Sequence, residues 1–165
     1  MVDNAEPAPI SPDDPVDVAA GFFALAHSVK RLANARYTGL GLSMARMMAL
    51  QELSLRGRCR MGELSDCLGV AARTMTSTVD GMVRDGLVVR RPDPADGRAV
   101  LVELNGAGRG ALAEGTRVRD AVVAEIFATL DPDELARFGA TVARLAGRAA
   151  SRAAADHEQL SAADG

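Results

Sequence analysis

Residues 86–104, GLVVRRPDPADGRAVLVEL, hold two short runs of alternating apolar residues on either side of a tip made of Pro92, Asp93, Pro94, Asp96, Gly97 and Arg98. In the first run Leu87, Val89 and Arg91 alternate with Val88 and Arg90; in the second, Val100, Val102 and Leu104 alternate with Leu101 and Glu103. A period of two marks a strand with one buried face, and a turn-rich tip between two such runs folds them into a hairpin. The rest of the chain carries the three- and four-residue spacing of amphipathic helices. The expected fold class is therefore mainly α with a small β-hairpin.

Phe22, Ala26, Val29, Ala33 and Tyr37 mark one face of a first helix, about 16–38, which Gly39 and Gly41 end. Ser43 can cap a second helix, in which Met47, Leu50, Leu53 and Ser54 alternate with polar positions until Gly57. A short helix near Met61 to Leu68 stops at Gly69, and another runs from about Ala72 to Asp85 with Met75, Val79 and Met82 inward. Gly86 suits the left-handed position after it, with Leu87 closing the cap. Short helix, glycine turn, second helix and hairpin in this order make a winged helix-turn-helix, about 42–104.

Asn105 then caps a helix lined by Leu112, Val118, Val122, Ile126 and Leu130, and Asp131, Pro132 and Glu134 open a last one lined by Leu135, Phe138, Val142 and Leu145. These two, about 106–150, and the first helix carry apolar stripes with no partner inside a winged helix, so a second copy should bury them. Residues 1–14 read as a flexible acidic tail, 15–150 as one domain and 151–165 as a frayed end.

Several function classes are excluded. No stretch is long and apolar enough to span a membrane, and no basic and apolar leader opens the chain, so a cytoplasmic location is expected. Cys59 and Cys67 are too few for a disulfide framework and lack metal-ligand spacing with His27 or His157; neither a metal nor a cofactor is expected. Aromatic residues make up 3% of the chain and Trp is absent, which disfavours stacking on single-stranded nucleic acid. No nucleophile, base and orienting-acid set emerges, so the chain reads as no enzyme. Gly106, Gly108 and Ala111, with Glu125 downstream, imitate a dinucleotide fingerprint, but another helix follows where a parallel strand would be required. A winged helix used for protein contacts would need neither the Asp96 and Arg98 tip nor a polar, basic recognition helix.

The net charge of −3 hides an uneven distribution. Residues 56–98 carry eight Arg against six acids, a balance of +2, whereas the first 29 residues hold five acids and no Lys or Arg. A binding footprint depends on where charges sit, so the acidic total does not exclude DNA.

LSMARMMALQEL together with MGELSDCLGVAARTMTSTVDGMVRDGLVVRRPDPADGRAVLVELNGAG resembles the MarR family of bacterial transcription regulators, over roughly residues 20–150. The wing is the most specific part: Asp93, Pro94, Asp96 and Arg98 match the family's Asp-Pro-x-Asp-basic-Arg tip, and Leu104 and Gly108 match the Leu-Thr-x-x-Gly that follows. Gly97 stands where a second basic residue is usual, and Asn105 replaces Thr, an equally good cap. The resemblance implies a homodimer on a double-stranded, inverted-repeat operator. It also implies repression, released when a small aromatic or phenolic effector binds between the dimer helices and the DNA-binding lobe. His27, Met44, Met47 and Met48 are the expected lining.

The residues supply a mechanism for DNA. With Met75, Val79 and Met82 inward, Arg73, Thr74, Thr76 and Ser77 face outward, types that bond phosphates and base edges in the major groove. Arg98 suits the minor groove, where negative potential is enhanced, with Asp96 as its orienting partner. Arg84, Arg90 and Arg91 suit phosphates, and Asp80 can pair with Arg84 four residues on. An alternative signal is thiol oxidation: Cys59 lies among Arg56, Arg58 and Arg60, and nearby cations favour thiolate, whereas Cys67 is expected to pack as a small hydrophobe.

Overall fold

Polar side chains beside the backbone set where the helices begin. The computed structural model describes residues 10–163, with side chains through Asp156. The elements are α1 (Pro15–Thr38), α2 (Met44–Arg56), β1 (Arg58–Arg60), α3 (Met61–Leu68), α4 (Ala72–Arg84), β2 (Val88–Asp93), β3 (Asp96–Leu104), α5 (Gly106–Phe127) and α6 (Pro132–Ala163). Residues 1–9 of the expected acidic tail lie outside the described residues; residues 10–14 precede α1, and the Asp14 side chain accepts from the Val16 N–H at 2.9 Å. Ser43 caps α2 by accepting from Arg46 N. Asn105 caps α5 by accepting from Gly108 N, and its Nδ2 donates to the Gly86 carbonyl at 2.7 Å. Asp131 and Glu134 form a capping box at the start of α6, each carboxylate accepting from the other's backbone N–H.

The chain divides within α5, between Val122 and Val123, into two compact units. In the first, Leu50, Leu53, Leu64, Met75, Val79, Met82, Val88 and Val102 form a core with at most 1% of each residue exposed. Each such side chain contributes on the order of 1.5–3 kcal/mol by leaving water. Gly86 takes the left-handed φ of +70° expected of it, and the Leu87 N–H closes the turn onto the Met82 carbonyl. Gly108 serves close packing: a Cβ there would stand 2.1 Å from the Leu87 carbonyl oxygen. That accounts for one glycine of the apparent dinucleotide fingerprint, and the three strands of the sheet pair antiparallel.

The sheet corrects the expected two-stranded hairpin. Its order is β1-β3-β2, with Cys59 opposite Val102 on one side of β3 and Arg90 opposite Val102 on the other. Three residues are too few to show alternation, and only Cys59 of β1 points inward, so the strand left no periodic signal. Other differences are local. Ser54 is exposed, Phe22 is exposed on α1 although Ala33 and Tyr37 of its stripe are buried, and α5 ends at Phe127, leaving Leu130 in the following turn.

The second unit holds the end of α5, the turn and α6, with the Phe127 and Phe138 rings 5.6 Å apart. Residues 151–163, expected as part of a frayed end, continue α6 through Ala163. Ala149, Ala150, Ala153, Ala154 and Ala155 carry the highest helix propensity, and no Gly or Pro interrupts the helix after Gly147. Among the described residues, no helix is long and apolar enough to cross a membrane.

Candidate nucleic-acid interface

The face of α4 opposite its core side is polar over the first two turns. Met75, Val79 and Met82 are buried, and Arg73, Thr74, Thr76 and Ser77 are all exposed, as their spacing predicts. No side chain caps the N-terminus of α4 at Ala71, so its first N–H groups are left to water or an incoming acceptor. The Thr76 hydroxyl donates to the Ala72 carbonyl at 2.9 Å, which leaves its lone pairs outward as an acceptor. Ser77 makes no such bond and can both donate and accept.

The wing is held by charges. Arg60, at the junction of β1 and α3, directs Nε and Nη2 onto Asp93 Oδ2 at 2.9 and 2.6 Å, and its backbone N–H donates to Glu63. Asp93 is only 8% exposed and its other oxygen accepts from Ala95 N. That backbone bond and the Arg60 guanidinium hold the Asp93 carboxyl below the usual carboxylate range. Residues 33 positions apart are thereby joined at the base of the tip. Sequence reading found Asp93 as part of the tip but missed Arg60 as its partner, since nothing in local spacing links them.

Asp96 corrects one expectation. Its carboxylate accepts from the backbone N–H of Arg98 at 3.1 Å and lies 3.7 Å from Arg60, so it orders the chain under Arg98 instead of aligning the guanidinium. Other arginines part company as well. Arg73, Arg84 and Arg98 have exposed side chains with no charged partner among the described residues. Arg90 pairs with Asp80 at 2.6 Å, and Arg91 reaches Glu103 across the sheet. Asp80 therefore does not pair with Arg84: the hairpin brings β2 onto α4 and offers it a nearer cation. Of the arginines assigned to phosphates, Arg84 is free and Arg90 and Arg91 are already neutralised.

Both cysteines depart from expectation. Cys59 is buried at 3% exposure, and burial followed by the nearby Glu63 charge pushes its thiol up, so it is not the poised thiolate expected. Strand alternation turns Arg58 outward and Cys59 inward; Arg56 still favours the thiolate, but burial and Glu63 outweigh it. Cys67 does not pack as a small hydrophobe; it is exposed on α3.

The residues expected to line an effector pocket are not equivalent either. Met47 is spent on the core, its sulfur lying where a Cβ on Gly115 of α5 would sit, while Met44 is half-buried and His27 and Met48 are exposed. A shallow open cleft of about 510 Å³ lies elsewhere, lined by the end of α2, β1, Glu103, Leu104 and Arg109. Among the described residues no cluster of His, Cys, Asp and Glu could hold a metal ion.

Residues 40–99 match the model of the MarR family. The chain is 26% identical to YsmB, an uncharacterized HTH-type transcriptional regulator of Bacillus subtilis, over 78% of this chain and 88% of that one. It is 32% identical to the HTH-type transcriptional regulator MT0903.1 of Mycobacterium tuberculosis over 56% of this chain, and spans 65% of that relative's length. Apo MarR of E. coli superposes with a TM-score of 0.73 at 23% identity, over 78% of this chain and 95% of that one. A cysteine-to-serine mutant of the same protein, complexed with operator DNA, superposes with a TM-score of 0.60 at 25% identity, over 80% and 98%.

Proposed function

We propose that this chain, which belongs to the MarR family, is a transcription regulator that binds double-stranded DNA as a homodimer, with α4 of each copy in the major groove and Arg98 of each wing in the adjacent minor groove. One observation carries the reading: on α4 the apolar spacing is fully absorbed by the core, and Arg73, Thr74, Thr76 and Ser77 are left exposed and available beside a wing that presents an unneutralised Arg98. Arg73 reads a guanine or grips phosphate, and Arg84 takes phosphate. Arg90 and Arg91 contribute little, because each would have to leave a carboxylate first. That a relative was solved in complex with operator DNA supports the DNA-binding reading. Repression, released by a small aromatic or phenolic effector, completes the reading.

The test is to recover duplexes from a random-sequence pool with the purified protein and footprint the survivors. The expected site is an inverted repeat whose half-site centres lie about 10 bp apart, protected by a dimer. Protection of one asymmetric half-site by a monomer would refute it.

A further inference from the structure

One guanidinium outside this surface joins three pieces of chain. Arg46 lies in the first turn of α2, with its side chain only 20% exposed. Its Nη1 donates to the Gly41 carbonyl at 2.8 Å and lies 2.7 Å from Asp85 Oδ2. Its Nη2 rests on Gly81, where a Cβ would stand 2.8 Å away. Gly81 is buried near the end of α4, and Asp85 is the cap residue between α4 and the start of the wing.

The other end of the contact is equally well fastened. Gly41 has a φ of +66° in the turn between α1 and α2. The N–H groups of Leu40 and Leu42 both donate to the Tyr37 carbonyl, Gly41 N donates to Thr38, and Met44 N donates to Asn34 Oδ1 at 2.8 Å. Tyr37 is itself buried. A continuous train of contacts therefore runs from the end of α1, through the turn and Arg46, to the junction of the recognition helix with the wing.

We propose that Arg46 is a positioning residue for DNA recognition: it bolts the C-terminal end of α4 to the α1–α2 turn and so sets the spacing between the two recognition helices of the dimer. The inference rests on the homodimeric DNA-binding reading, in which α1 belongs to the dimer interface. A two-nitrogen fork is needed, because Nη1 serves both a carbonyl and a carboxylate while Nη2 abuts Gly81, which a single ammonium cannot do. Gly81 has a reason to be glycine here that helix stability alone opposes, since alanine is the better helix former.

The experiment uses the full chain and a duplex selected by the wild type, together with duplexes whose half-sites are moved one or two base pairs closer or further apart. Arg46→Ala, Asp85→Asn and Gly81→Ala should each lose on the order of tenfold in affinity at the selected spacing. They should lose much less at the altered spacings, so that the spacing preference flattens. Gly81→Ala should do so without lowering the unfolding midpoint, and Arg46→Lys should not restore the preference. The double variant Arg46→Ala with Gly81→Ala should be no worse than Arg46→Ala alone, because the methyl then meets no guanidinium. A purely structural ion pair would lower the midpoint and leave the spacing preference as in the wild type, and that result would overturn the inference. Folded variants that bind as the wild type does would overturn it too, with the DNA-binding reading intact. A wild type that retains no duplex overturns both.

Discussion

The winged-helix lobe and α1 use apolar residues in opposite ways. In the lobe Val79, Met82 and Leu64 are fully buried; on α1 Val16 and Phe23 are 75% and 69% exposed, and Phe22, Leu25 and Leu32 are exposed as well. The lobe closes its core within one chain. Among the described residues, α1 is buried at Ala33 and Tyr37 near its C-terminal end, where the turn fastens it, and leaves its large apolar side chains further back exposed. A row of large apolar side chains on an otherwise well-capped helix is a surface built for association. The difference teaches that this sequence encodes a lobe that closes its own core and a helix that does not, which a second copy covers in the proposed dimer.

Substitutions can break that contrast. The largest effect is expected for Val79→Asp, which places a carboxylate with no partner in the lobe core at a cost of about 3 kcal/mol or more. Denaturant unfolding should show the midpoint collapse; an unchanged midpoint would mean that the lobe core is not what holds the fold. Next comes Phe23→Asp, which should leave helical circular dichroism intact and weaken the dimer by at least about thirtyfold, as loss of a central aromatic does at interfaces. Sedimentation at falling concentration checks it, and a dimer that persists would remove this face of α1 from the interface.

Within the lobe the contrast sharpens between free and neutralised arginines. Arg98→Ala should weaken binding to a selected duplex by about 1–3 kcal/mol at fixed salt. Arg91→Ala, whose guanidinium already serves Glu103, should change it by less than about 1 kcal/mol. Equal losses in a fluorescence titration would mean that the ion pair with Glu103 opens on DNA. The smallest effect concerns the thiols. In the folded protein an alkylating reagent near neutral pH should label Cys67 and spare Cys59, because only the ionised thiol reacts and burial holds Cys59 protonated past the ordinary thiol range. Mass spectrometry of digested protein decides it; faster labelling of Cys59 would restore the oxidation switch that its burial argues against.

The helices were legible because their signals are local. Met75, Val79 and Met82 repeat at helical spacing, Ser43, Asn105 and Asp131 stand where caps must, and Gly69 and Gly86 take the left-handed conformations that end α3 and α4. From these alone follow the order of the helices and the hairpin, the outward face of α4 and the position of the wing tip. The three residues of β1 were not legible, because a strand that short acquires its identity only by pairing with β3.

Charge partners were the other thing that sequence withheld. Asp80 has Arg84 one helical turn away, yet the folded hairpin delivers Arg90; Asp96 has Arg98 two residues on, yet its carboxylate reaches only the backbone there and lies near Arg60. Cys59 is flanked by arginines along the chain and by core residues in space. Arg46 shows no motif at all, and its three contacts come from segments up to 39 residues away. Periodicity and capping depend on dihedral preferences and hydrogen bonds within a turn or two, so sequence by itself determined the helices, their faces and the winged-helix lobe they form. Ion pairs, thiol chemistry and the Arg46 bolt depend on distances of 2.6–3.7 Å between residues that chain geometry does not bring together, and only tertiary packing decides which of them meet.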